Sequence, residues 1–175
     1  LSQQQELVRL ANTDVLTGVA NRRSFIDRAG HEINRAKRTG TALAVMLIDI
    51  DHFKSINDRH GHATGDLAIQ AFADICRRCV RNVDLISRIG GDEFAVLLPE
   101  TDADGAMQVA ERIRSEVERQ TLPDAKGQPI AITASIGVVM LHADTQHVEA
   151  ALALADTALY AAKDSGRNAI RFPPA

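Results

Sequence analysis

The chain has 175 residues, of which 45% are hydrophobic, 25% charged and 3% aromatic, with a net charge of −3. That length fits one domain with a core of Leu, Ile, Val and Ala, and the slight acidity excludes a broad basic surface for polymeric nucleic acid. The longest purely apolar run, residues 42–48, falls far short of the ~20 residues a membrane-spanning helix needs, so no membrane segment is expected.

The chain opens Leu1-Ser2-Gln3, with no initiator Met and no clear helix cap, and reads as a piece of something longer. Residues 1–11 carry Leu7, Leu10 and Ala11 on one side of a predicted helix, which Asn12-Thr13-Asp14 breaks. Residues 21–38 repeat Phe25, Ile26, Ala29, Ile33 and Ala36 at helical spacing, and Gly40 closes that helix. Residues 41–50 read as a strand buried on both faces and ending in acid. A short helix over 52–60 and a longer one over 63–80 follow, the latter with Leu67, Ile69, Ala71, Phe72 and Ile75 as its apolar set. Cys76 and Cys79 lie within that helix, and no second pair completes four metal ligands, so they read as core thiols of a reduced protein.

Residues 85–89 and 93–98 form two strands around Gly90-Gly91-Asp92, a hairpin signal, and Pro99 stops the second. Residues 104–118 form a helix capped near Asp102, 123–129 a loop, 130–140 a β-rich segment, and 147–165 a helix ended by Gly166. Residues 169–172 supply a closing strand. The pattern implies an α+β fold: a mainly antiparallel central sheet flanked by helices.

Chemistry concentrates where the strand ending Asp49-Ile50-Asp51 meets the hairpin tip Asp92-Glu93. If the two strands are neighbours, three or four carboxylates converge. Such a cluster repels itself, and either its pKa values rise or it binds a divalent cation. Mg²⁺ prefers a few carboxylates plus substrate phosphates, which points to nucleotide chemistry. Acids at strand ends and in turns are common for purely structural reasons. Adjacent acids beside two glycines, which let a ligand approach the backbone, tip the balance towards function.

An ordered set of motifs then carries a resemblance. These are Asn12-x-Asp14-x-Leu16-Thr17-Gly18-x-x-Asn21-Arg22-Arg23, Asp49-Ile50-Asp51-His52-Phe53-Lys54-x-x-Asn57-Asp58 and Gly61-His62-x-x-Gly65-Asp66. Arg88-x-Gly90-Gly91-Asp92-Glu93-Phe94, Ala134-Ser135-Ile136-Gly137-Val138 and Ala155-Asp156-x-Ala158-Leu159-Tyr160-x-Ala162-Lys163-x-x-Gly166-Arg167-Asn168 complete it. The chain resembles the GGDEF family of diguanylate cyclases over residues 12 to about 170, and residues 12–175 are taken as that domain.

The resemblance implies a ferredoxin-like βααββαβ core, as in nucleotide cyclase and polymerase palm domains. It implies condensation of two GTP into cyclic di-GMP and two pyrophosphates, with Mg²⁺, or Mn²⁺ in its place, as two ions per active site. Asp49, Ile50 (through its carbonyl) and Asp92 are the implied metal ligands, and Glu93, with Asp92 the alternative, activates the 3′-hydroxyl. His52 and Phe53 offer backbone amides to the triphosphate at a helix start, and Lys54 adds charge there. Lys163 and Arg167, four apart near a helix end, hold the β- and γ-phosphates, and Gly90 and Gly91 line the substrate. Asn57 and Asp66 read guanine, since adenine lacks the donors a carboxylate needs there. Asp66 could equally cap the helix that follows it. Arg81 and Asp84, helped by Arg88, form an implied inhibitory product site for cyclic di-GMP. His60 and His62 are held as structural.

The implied partners are a second copy of the domain, since each holds one GTP, and an upstream sensory or receiver domain. Residues 1–11 are then the end of an upstream signalling helix, and the domain works in the cytoplasm. A non-catalytic dinucleotide receptor and a cyclase for adenine nucleotides are the alternatives. The intact acids oppose the first and Asp66 the second.

Overall fold

In the computed structural model, which describes residues 1–174, the elements follow in the order α1 (Gln3–Asn12), β1 (Ala20–Asn21), α2 (Arg22–Thr39), β2 (Leu43–Ile50), α3 (Phe53–His60), α4 (His62–Cys79) and β3 (Leu85–Arg88). Then come β4 (Glu93–Pro99), α5 (Ala103–Arg119), β5 (Thr121–Pro123), β6 (Pro129–Ala131), β7 (Ala134–Leu141), α6 (Val148–Asp164) and β8 (Ile170–Arg171).

Six strands form one sheet in the order β1-β3-β4-β2-β7-β8. The four inner strands pair antiparallel, as expected of the βααββαβ core. The outer pairs, β1 with β3 and β7 with β8, are parallel, so the sheet is mixed. Both parallel strands are too short to show a two-residue period, which is why β1 has no signature in the sequence. The predicted 123–129 loop is the tip of a small hairpin, β5 with β6, whose prolines mask its strand character.

The long apolar run of β2 serves two cores. Ala44, Met46, Ile48 and Ile50 join the cluster with α4 and α5, while Leu43, Val45 and Leu47 join the cluster with α2 and α6. α6 lies directly on β7: a Cβ at Gly137 would stand 2.5 Å from the backbone nitrogen of Leu159. This close approach fixes the height of α6 above the sheet.

Ser2 caps α1 after all, accepting from the Gln5 amide at 3.2 Å while the Gln5 side chain accepts from Ser2. α4 begins at His62, one residue before the expected start, and Leu67 is 46% exposed rather than part of its apolar face. Cys76 and Cys79 are free and buried, and burial pushes both thiols up, as core thiols should behave. Asp102 caps α5 by accepting from the Gly105 amide at 2.8 Å.

Candidate active site

Antiparallel register sets Asp49 of β2 directly opposite Glu93 of β4. Opposed residues share a face, so both project to the side covered by α6. There the Lys163 ammonium of α6 pairs with the Asp49 carboxylate. Asp49 is 7% exposed, and its Oδ1 is buried without a hydrogen-bond partner.

Burial pushes Asp49 above the usual carboxylate range, against the pull of Lys163, and Asp92 and Asp156 push it further. Glu93 is raised for the same reasons: burial first, then the charges of Asp49, Asp156 and Asp92. Burial opposes charge on Lys163 too, yet Asp49, Asp92 and Glu93 hold its ammonium above the ordinary range. The ion pair is attractive, and the cost of burial falls on the carboxylate. Asp156 has no role in the sequence reading. Its signal was present, since it lies two helical turns before Lys163 and so on the same face of α6.

The hairpin tip is braced from outside. Ile89 and Gly90 donate to the Glu93 carbonyl at 2.9 and 3.2 Å, and Ile50 donates to the Asp92 carbonyl at 3.3 Å, docking the tip on the end of β2. The Arg88 guanidinium donates to the Gly91 carbonyl at 3.0 and 2.8 Å and reaches the Asp14 carboxylate at 3.2 Å. Asp14 is itself held by the Thr17 amide at 2.9 Å and hydroxyl at 2.7 Å. Arg88 therefore lies at the opposite end of β3 from Arg81 and Asp84, and within one chain it does not join them. Neither Gly90 nor Gly91 needs a positive φ. A Cβ on Gly91 would meet open space, whereas one on Gly90 would crowd the Glu93 Cβ at 3.3 Å.

Asp51 leaves the acid cluster. It accepts from the Thr133 hydroxyl at 2.7 Å, the Ser135 hydroxyl at 2.7 Å and the Asn168 amide at 2.9 Å. The convergent acids are thus Asp49, Asp92 and Glu93, with Asp156 in their field. Among the described residues no three His, Cys, Asp or Glu side chains stand close enough to hold a metal by themselves. The free, buried Asp49 Oδ1 still fits an ion that takes its remaining ligands from backbone and phosphate oxygens, the habit of Mg²⁺.

His52 takes a left-handed conformation, φ 55°, to turn the chain from β2 into α3. The first amides of α3, from Phe53, then face outward without helical partners, and Lys54 is exposed beside them. Asn57 packs against Gly65, where any Cβ would strike its Oδ1, and that oxygen is buried without a partner. Asp66 is exposed within the second turn of α4, so it does not cap that helix. Arg167 lies beyond the end of α6, in a turn at φ 65°, so helical spacing from Lys163 does not set its direction.

At the far end of the sheet, Arg81 closes onto Asp84. Its Nη2 donates to Asp84 Oδ1 at 2.9 Å, to the Pro99 carbonyl at 2.7 Å and to the Thr101 hydroxyl at 2.9 Å. The Arg81 amide donates to Asp84 Oδ2 at 2.7 Å. A cavity of about 490 Å³ adjoins the pair, lined also by Asp102 and Arg112.

A family model described as diguanylate cyclase, GGDEF domain, matches residues 11–169. The chain is 43% identical over 159 residues to diguanylate cyclase DosC of Escherichia coli K12, covering 91% of this chain and 34% of that protein. It is 38% identical over 168 residues to diguanylate cyclase A of Treponema denticola, covering 94% and 45%. The chain thus spans less than half the length of these curated relatives. The crystal structure of the coiled coil and GGDEF domain of DgcB from Caulobacter crescentus, in complex with c-di-GMP, superposes with a TM-score of 0.92 at 34% identity, covering 97% of this chain and 89% of that one. That of diguanylate cyclase SiaD with its activator SiaC from Pseudomonas aeruginosa gives 0.90 at 34%, covering 97% and 64%.

Proposed function

This chain belongs to the diguanylate cyclase GGDEF-domain family, and on that premise we propose that it condenses two GTP into cyclic di-GMP and two pyrophosphates. One observation carries the reading: a buried, unpartnered Asp49 oxygen beside Glu93 and Lys163, at the mouth of the Gly90–Gly91 turn.

Asn57 Oδ1 and the Asp66 carboxylate accept from the guanine edge, which selects GTP over ATP. The α3 amides from Phe53, with His52, Lys54, Lys163 and Arg167, bind the triphosphate. Glu93, raised above the usual carboxylate range, accepts the proton of the 3′-hydroxyl as that oxygen attacks the α-phosphorus of the other GTP. The new P–O bond forms as the bond to pyrophosphate breaks, and the exchange repeats once to close the ring. Asp92 is the alternative base. Asp49, the Ile50 carbonyl and Asp92 would hold Mg²⁺ or Mn²⁺, two ions per site, which supply Lewis-acid stabilisation of the phosphoryl oxygens when bound.

Each domain holds one GTP, so the working unit is a homodimer, and activity per domain falls on dilution. Cyclic di-GMP at Arg81 and Asp84 slows turnover. An upstream sensory or receiver domain sets how the two copies meet, and the exposed Leu7, Val8 and Leu10 of α1 suit the end of a signalling helix. Among the described residues no helix is long and apolar enough to cross a membrane. The domain works in the cytoplasm, where GTP is at hand.

Incubation with GTP and Mg²⁺ followed by product identification tests the proposal. Cyclic di-GMP and pyrophosphate in a 1:2 ratio are expected. Tight dinucleotide binding without any product would make the domain a receptor instead.

A further inference from the structure

Resting on that reading, we infer that Asp51 is a positioning residue that ties the phosphate-binding start of α3 to the cationic turn after α6 and so sets the grip on the triphosphate. Asp51 stands between Ile50 and His52 and is 5% exposed. Its Oδ1 accepts from Ser135, its Oδ2 accepts from Thr133 and from the Asn168 amide, and its own amide donates to the Thr133 carbonyl at 2.9 Å. One carboxylate therefore locks the exit of β2 to β7 and to the chain beyond α6.

Both segments it joins are conformationally costly. His52 is left-handed on one side. On the other, Gly166, Arg167 and Asn168 take φ values of 111°, 65° and 46° in succession. Asn tolerates that region and Arg does not, so the turn must be held by its surroundings. The holding contacts converge on Asn168: its amide on Asp51, its Oδ1 on the Arg114 guanidinium at 2.8 Å, and its side-chain amide on Glu118. Arg167 makes no use of these bonds, but they fix where it points. The two left-handed residues flanking the Asp51 tie, His52 and Arg167, are both assigned to the triphosphate.

The chemistry requires a carboxylate. Two hydroxyls and one N–H converge on it as donors, whereas an amide offers a single acceptor oxygen and adds an NH₂ donor. Asp51→Asn keeps the shape and breaks the match. A role confined to folding would alter stability but not the preference for a triphosphate over a bare nucleoside.

The test compares guanosine with α,β-methylene GTP, which cannot release pyrophosphate, by calorimetry in Mg²⁺. In the folded D51N protein guanosine affinity is expected to hold, while the advantage of the triphosphate falls about tenfold. An undiminished advantage in folded D51N overturns the inference. Should D51N fail to fold, T133V and S135A, each of which removes one hydroxyl donor to Asp51, decide it in the same assay. A fall of about threefold supports the tie, and an unchanged advantage overturns it. No triphosphate advantage in the unaltered protein would overturn the underlying reading, and this inference with it.

Discussion

The two ends of the central sheet treat their polar groups in opposite ways. At the hairpin end, burial has outrun satisfaction: Asp49 Oδ1 and Asn57 Oδ1 are buried and unpartnered, and three acids share the field of Lys163. At the other end, the Asp84 side chain is fully buried, at 0% exposure, and every bond from Arg81 and its own backbone is spent on it or on its neighbours. Of the pair, Arg81, 54% exposed, is the accessible member. An unsatisfied buried acceptor costs stability until a ligand meets it, whereas a closed pair costs little and must be partly opened by any ligand. The hairpin end is built for binding at the expense of stability, and the far end is built to stand alone.

The sharpest way to break this contrast is at Glu93. Glu93→Gln is expected to lower turnover about 10³-fold in the GTP assay, yet to raise the thermal midpoint at neutral pH. The sign follows from linkage: a carboxyl raised in the folded state binds its proton more tightly than in the unfolded chain, so its ionisation opposes folding as pH climbs above its ordinary value of 4.5. Urea unfolding in a chelator should therefore show the variant gaining on the parent between pH 4.5 and 7. Equal stability at both pH values would remove the claim of strain at this end.

Asp66→Asn should reduce kcat/KM for GTP by about 100-fold, with ATP far less affected, because guanine then loses its acceptor. Matched losses for both nucleotides would argue that Asp66 reads something other than the base. Asp14→Asn loosens Arg88, and with it the Gly91 carbonyl, without touching the substrate. About a tenfold fall in kcat is expected, with little change in nucleotide affinity, measured by initial rates across GTP concentrations.

The smallest effect on turnover belongs to the closed end. Arg81→Ala should leave the initial rate unchanged while abolishing inhibition by added cyclic di-GMP. It should also lower stability by about 1–3 kcal/mol, because the buried Asp84 carboxylate loses its guanidinium donors and keeps the backbone amide of residue 81. Retained inhibition would show that the product binds without this pair.

Much of the molecule was legible in local sequence. The helix spanning Arg22–Thr39 announces itself by Asn21 and Gly40, and the β2 run by its length. The acid-tipped hairpin is visible from two glycines between apolar strands. Each of these is decided within a few residues of itself, by dihedral preference, capping and period. The motif order was legible for the same reason.

Other features waited on packing. Asp49 and Asp51 look equivalent in sequence, yet one faces Lys163 and the other is consumed by Thr133, Ser135 and Asn168. Arg88 stands with Arg81 and Asp84 in the sequence, yet its guanidinium pairs with Asp14 and the Gly91 carbonyl at the other end of β3. Arg167 follows Lys163 at helical spacing until α6 stops at Asp164. Asp156 shows its effect only when α6 lies on β7, close enough at Gly137 to bring its charge over Asp49 and Glu93. By itself the sequence determined which residues could do this chemistry. Which of them meet was decided by sheet register and helix seating, because side chains a hundred positions apart share a face only once the strands between them are paired.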